Sequence, residues 1–279
     1  MKRILCILLL LALCVSMAAC GGSPREVQSV ATLVEQEYSL AFRTGDPTAY
    51  YVAAAIEVLN AQGLVDELAV KWFGSRIINF GKNAEALQRL ETPTRRDFII
   101  GVDINSFPMA YMTAGQYWGF DVELAMAVCE ELGWDLKIQP IEKENVYIEL
   151  SSGNIDCAWG GIALDPADIS AGRVARYGPY VHNDIVIAKR GDAFIENKYM
   201  LSHKALAMCS TVEAMDALQS DPGIVKRLGQ ISRLAGGTTE CFQYLYQGRC
   251  AVILTDTTAI YYFNCHLCKC KTGVTPFWA

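Results

Sequence analysis

The sequence predicts an α/β protein built on mostly parallel sheets, and three stretches carry that prediction. Residues 98–102 (FIIGV) are an apolar run of strand length, and Phe120, Leu124, Ala125, Val128 and Leu132 then recur at helical spacing up to Gly133. Residues 136–141 read as a second strand, 146–150 as a short helix closed by Ser151-Ser152-Gly153, and 155–159 as a third strand. Beyond Lys189 the alternation resumes, with strands at 205–209 and 251–255 and helices at 212–218 and 239–246. Strands alternating with helices build parallel sheets, whose ligands collect at the strands' carboxyl ends.

From the start of the chain, residues 1–19 read as a leader rather than as fold. Lys2 and Arg3 precede an apolar run over 4–15 that is too short to span a membrane comfortably. Met17-Ala18-Ala19-Cys20 has the form of a lipobox, so Cys20 is the expected lipid-modified start of the mature chain. Ordinary cleavage after Met17-Ala18-Ala19 is the alternative, and either route exports the protein, to the outer face of the membrane or the periplasm. No second membrane segment follows. Losing Lys2 and Arg3 removes no acid, so the net charge moves from −6 to −8. That balance leaves no footprint for nucleic acid. The length suits one large or two small domains, and 52% apolar content is ample for a core.

Residues 20–37 open as a polar tether, within which periodicity leaves 27–34 open between strand and helix. Residues 38–42 alternate like a strand, Asp46-Pro47 is a helix start, and Val52, Ile56 and Leu59 share one face. Gly63 separates a second helix carrying Leu64, Leu68 and Trp72, after which 75–97, with Pro93 and several charges, reads as a bridge.

Three segments, GFDVELAMAV, SGNIDCAWGGIAL and GPYVHNDIVIAKRGD, resemble in order and spacing the amino-acid-type (family 3) substrate-binding proteins of bacterial ABC importers. The resemblance implies the type II periplasmic-binding-protein-like fold: two lobes, each a mostly parallel sheet flanked by helices. It also implies capture of a small polar solute, an amino acid or related amine, between the lobes and its delivery to a permease, without cofactor or catalysis. In that family the pattern of strand, helix, Gly and helix seen over 38–74 closes the chain, whereas here it comes first. Residues 257–279 are too few to repeat it. A circular permutation is therefore expected, with 38–74 completing lobe 1, 75–97 as bridge, 98–188 as the core of lobe 1 and 189–279 as lobe 2. A leftover fragment of a preceding duplicated module is the alternative. Residues 38–42 and 184–188 are the expected crossing strands. Two rival functions remain, a dehydratase on the same scaffold and an extracellular ligand-sensing domain.

A zwitterionic solute needs an anion site, a carboxylate for its ammonium group, and apolar walls. Ser210 and Thr211 begin a helix after a strand and suit an anion, although Ser210-Thr211-Val212-Glu213 also reads as a capping box. Relative to the family, Cys209 replaces a glycine and Ser210 a threonine. Asp256 ends its strand where the family places the acid that takes a ligand's amino group; its other reading is N-cap of the following helix. Gly160, Gly161 and Ala163 follow the third strand, where the family carries hydroxyls and then an Arg that clamps a carboxylate. Asp168 stands in that Arg's place. Either Arg173 substitutes from a shifted loop, or this lobe binds no carboxylate. An extra acid there together with Asp256 favours a cationic solute. Phe107 sits near the family's stacking aromatic, and Trp159, Tyr111 and Trp118 are further wall or core candidates.

Nothing in the sequence has an enzyme's constellation: no P-loop, no nucleophile elbow, no paired-histidine metal spacing among His182, His203 and His266. Of eleven cysteines, Cys6 and Cys14 leave with the leader and Cys20 is the lipid site. Cys265, His266, Cys268 and Cys270, expected in a terminal linker, match no common zinc pattern, so disulfide or plain thiol roles stand beside metal binding.

Overall fold

The computed structural model describes residues 26–268. Its strands are β1 (Val27–Val34), β2 (Glu37–Arg43), β3 (Asp97–Val102), β4 (Tyr111–Thr113), β5 (Gln116–Trp118), β6 (Asp135–Pro140), β7 (Cys157–Ala158), β8 (Val174–His182), β9 (Ile185–Arg190), β10 (Ala205–Cys209), β11 (Gln230–Leu234) and β12 (Val252–Asp256). Two five-stranded sheets result, in the orders β6-β3-β7-β2-β8 and β1-β9-β12-β10-β11, with β4 and β5 as a separate hairpin. In each sheet three neighbouring strands run parallel and the remaining pairings are antiparallel. These sheets are the cores of two lobes.

The strand β2 shows why the early segment belongs to the first lobe. All five residues from Tyr38 to Phe42 are buried, Leu40 and Ala41 completely, because β2 lies between β7 and β8 with both faces covered. The helix Thr48–Gln62 follows and packs Val52, Ile56 and Leu59 into the same core. It stops at Gly63, whose φ of 93° is the left-handed conformation a helix terminus favours in glycine. The helix Leu64–Phe73 then buries Val65, Ala69, Trp72 and Phe73.

The segment 27–34, which periodicity leaves open, is a strand, and it forms the edge of the second sheet rather than a tether. Consequently the chain changes sheets at Glu35-Gln36, and again at Asn183-Asp184 between β8 and β9. The crossings are thus the short links beside the expected strands 38–42 and 184–188, and β9 belongs to the second sheet. The two links lie side by side, with Asn183 N–H donating to the Gln36 carbonyl at 2.9 Å. Two short neighbouring connections are the geometry of a hinge.

The helix Phe120–Leu132 is set by the turn before it. Gly119 has φ 138°, and a Cβ there would lie 2.1 Å from the Met109 carbonyl oxygen. Backbone cannot yield as a flexible side chain can. Gly119→Ala should therefore destabilise the chain by at least about 2 kcal/mol, as left-handed strain and overlap add. Urea unfolding would check this against Gly133→Ala, where the added Cβ meets nothing within 4 Å although φ is also positive.

The last helix, Thr257–Cys268, leaves β12 of the second sheet but packs against the helix Leu64–Phe73 of the first lobe, with the rings of Trp72 and Tyr262 5.8 Å apart. Cys265 and His266 are on this helix, not in a linker; Cys20 and Cys270 fall outside the described residues. Among the described residues no helix is long and apolar enough to cross a membrane.

Candidate functional site

The parallel strands of both lobes point their carboxyl ends at one cleft. Asp103 and Asn105 follow β3, Glu142 to Glu144 follow β6, Cys209 ends β10 with Ser210 and Thr211 after it, and Asp256 ends β12. These residues border a chamber of ≈ 530 Å³. A second chamber of ≈ 360 Å³ shares Asn105, Cys209, Thr211 and Thr238 with it and is walled by Phe107, Tyr111, Tyr262 and Phe263. One end of the cleft is acidic and the other aromatic. Six carboxylates line the acidic chamber, from Asp103, Glu142, Glu144, Glu213, Asp216 and Asp256, against a single base, Lys143. That base is already engaged: Lys143 of the first lobe pairs with Glu213 of the second across the cleft.

Asp256 occupies the position the sequence assigns it, and the hinge holds it there. Its Oδ1 accepts from Asn183 Nδ2 at 2.7 Å, and the same amide nitrogen donates to the Tyr38 hydroxyl at 2.6 Å. The Asn183 Oδ1 accepts from Thr258 N–H at 3.2 Å and Thr258 Oγ1 at 2.7 Å. The first turn of the last helix is therefore capped by the fully buried Asn183 rather than by Asp256. The carboxylate remains available to the cleft. Burial pushes its pKa up to about 6, the Asn183 hydrogen bond opposing and the neighbouring Glu213 adding to the rise.

Thr211 and Ser210, read from the sequence as suiting an anion, border the acidic chamber, and the capping residue is Thr211, whose Oγ1 accepts from Ala214 N–H at 3.2 Å. The capping box read from Ser210 does not form, because the helix is capped one residue later, at Thr211, and the Glu213 side chain pairs with Lys143. Phe107 lines the aromatic chamber and packs on Tyr262 and Phe263 with ring centroids 4.8 and 5.5 Å away. Tyr111 joins it, whereas Trp118 lies outside both chambers, 43% exposed.

The loop after β7 departs from expectation. Trp159 is fully buried, not a cleft wall: its Nε1 donates to Asp121 Oδ1 at 3.1 Å. Gly161 is buried too, its N–H donating to Asp121 Oδ2 at 2.8 Å, and a Cβ there would come within 2.5 Å of Ser106 Cβ. The glycine turn folds back onto its own lobe. Ala163 bridges to Tyr38 and lines, with Asp168, a separate ≈ 310 Å³ depression that shares Lys143 and Glu144 with the cleft. Arg173 is exposed, 3.0 Å from Asp168 through Nε and over the ring of Tyr147. Neither Asp168 nor Arg173 lines either chamber of the cleft, and the two pair with each other at the surface.

Sequence reasoning passed over Asp121, although an acid three, four and seven residues before Leu124, Ala125 and Val128 sits on the apolar stripe. It is fully buried and also accepts from the Tyr180 hydroxyl at 2.6 Å. Burial pushes its pKa up to about 7, while the bonds from Tyr180, Gly161 and Trp159 hold it from rising further. An unfolded aspartate ionises near 3.8, so the unfolded chain releases this proton first and stability is lost as pH rises from about 4 to about 7. Each pKa unit of separation is worth about 1.4 kcal/mol. Urea titrations across that window should show a downward slope, and Asp121→Asn should remove Asp121's share of it.

Two lobes joined by paired short links, with a ligand-sized cleft at the strand ends, define the class of two-lobed solute-binding proteins. Residues 98–259 match the family described as bacterial extracellular solute-binding proteins, family 3, and the chain belongs to that family. Among solved structures, a polar amino acid ABC uptake transporter substrate-binding protein from Streptococcus thermophilus is similar at 26% identity over 57% of this chain and 61% of that one, with a TM-score of 0.44. An ABC uptake transporter substrate-binding protein from Streptococcus pneumoniae with bound histidine matches at 24% identity, over 60% of this chain and 68% of that one, with a TM-score of 0.46. Holo ArgBP from T. maritima matches at 23%, over 58% and 70%, with a TM-score of 0.42. The chain spans about three-fifths of the first of these.

Proposed function

We propose that this protein is the solute-binding component of an ABC importer, and that it captures a cationic, amine-bearing small molecule, an amino acid or related amine, between its lobes. The observation that carries the reading is the acidic chamber: six carboxylates, no arginine, and one lysine already paired. Carboxylates gathered in a partly enclosed site repel one another and are costly to desolvate unless a cation meets them. Asp256 would take the ligand's ammonium group, with Asp103 and Glu213 beside it. Phe107 and Tyr262 would face the ligand's apolar or cationic remainder. Closure about the links at Glu35-Gln36 and Asn183-Asp184 would seal the cleft and present the loaded form to a permease. Lipid attachment at Cys20 would hold the protein at the membrane.

We further infer that the order of segments is a circular permutation, because β1, β2 and the two helices over 48–73 all precede the stretch 98–259 that matches the family. Mass spectrometry of small molecules released from the purified protein by denaturation tests the solute reading. A compound with at least one amine and net positive charge is expected; a dicarboxylate or a neutral sugar as the stoichiometric occupant would refute it.

A further inference from the structure

The cleft contains a pair of thiols that solute binding does not require. Cys209 ends β10 and Cys241 lies in the second turn of the helix Gly237–Tyr246, yet their sulfur atoms are 3.8 Å apart. Thr238 Oγ1 lies 3.7 Å from the Cys209 sulfur. Cys209 is half-buried and borders both chambers, whereas Cys241 is fully buried behind it. One thiol therefore meets whatever enters the cleft, and the other backs it. We propose that Cys209 and Cys241 are a redox-active dithiol in the cleft wall, which closes to a disulfide by exchange with a low-molecular-weight disulfide.

The electrostatics assign the two roles. The hydrogen bond from Cys241, helped by Thr238, holds the Cys209 thiol below its ordinary pKa even though burial pulls the other way. Cys241, in contact with Cys209 and fully buried, is pushed well above its own. A thiol with more thiolate character and an open approach attacks; a protonated neighbour in contact resolves. The Cys209 thiolate attacks one sulfur of the incoming disulfide, its S–S bond breaks, and the first thiolate leaves. Cys241 gives its proton to that thiolate and attacks the Cys209 sulfur. The second thiolate departs and takes up the proton that Cys209 had released. Two protein thiols become one disulfide, and one small disulfide is reduced to two thiols. Proteins of an extracellular family meet an environment in which such bonds persist. The other nearby thiol, Cys250, is buried, with its pKa raised to about 11 by that burial, and offers no comparable nucleophile.

Treatment of the full chain with glutathione disulfide, followed by peptide mapping under non-reducing conditions, tests this without reference to the solute. A peptide linking Cys209 to Cys241 is expected. Cys241→Ser should instead accumulate glutathione on Cys209, and Cys209→Ser should leave Cys241 unmodified. The wild-type map is decisive by itself, even where a variant folds poorly. Wild-type Cys209 that stays free, or that keeps its glutathione, overturns the proposal. So does a bridge from Cys241 to Cys250.

Discussion

Replacing Asp256 with Asn should weaken binding of a cationic amine on the order of a hundredfold, while leaving the folded chain intact. The substitution keeps the shape and the hydrogen bond to Asn183, since an amide oxygen can still accept from the Asn183 amide at the position where Asp256 Oδ1 does so at 2.7 Å. What it removes is the charge that would meet the ligand's ammonium group, and loss of one member of a desolvated charge pair typically costs about 2–5 kcal/mol. The pH dependence should change with it. With the Asp256 pKa raised to about 6, wild-type affinity should fall below that pH by up to about tenfold per unit as the carboxyl protonates. The Asn variant should lose that limb. Calorimetric titrations with arginine and putrescine from pH 5 to 8, as probes of the cationic class, would check both statements.

The second large effect concerns the segment that precedes the family match. A chain beginning at residue 75 should not unfold cooperatively at all. It would lack β2, which lies between β7 and β8, and so would split the first sheet and leave the core residues that cluster with Leu40 and Phe42, Phe98 and Ile100 among them, without that cover. The second sheet would lose its edge strand β1 and the pairing of Val27 with Arg190 through Val34 with Ile185. A domain's net stability is only about 5–15 kcal/mol, and the loss of a central strand exceeds that margin. A urea transition in the truncated chain as sharp as that of residues 26–279 would show the segment to be dispensable, and the permutation reading would then fail.

What the sequence makes legible follows the range of the interactions involved. The strand at Asp97–Val102 and the helices at Phe120–Leu132 and Val212–Gln219 announce themselves through local periodicity and glycine stops, and the structure has them within a residue or two. That Asp256 and Thr211 border the cleft is legible because residues at and just beyond the carboxyl ends of parallel strands gather there. Burial of Trp159 is not legible, since whether an aromatic side chain faces a cleft or a core depends on a partner, Asp121, that lies 38 residues away. Asn183 escapes for the same reason, its capping partner Thr258 being 75 residues distant. Charge compensation is equally nonlocal in its effect. Asp168 reads as an unpaired acid where an Arg is expected, but Arg173 neutralises it at the surface, and beside Asp256 the excess negative charge of the cleft comes from Asp103, Glu142, Glu144 and Asp216 instead. The proposal of a cationic solute therefore rests on carboxylates largely different from those that suggest it in the sequence.

Thermal unfolding of the purified protein with arginine, putrescine, glutamine and glutamate, each well above its dissociation constant where it binds, addresses the cleft's charge most directly. A ligand at a hundred times its dissociation constant adds about 2.7 kcal/mol to the folded state, enough to raise the melting temperature by several degrees. The acidic chamber predicts that arginine or putrescine stabilises the chain and that glutamate does not. Stabilisation by glutamate above that given by either cation would contradict it.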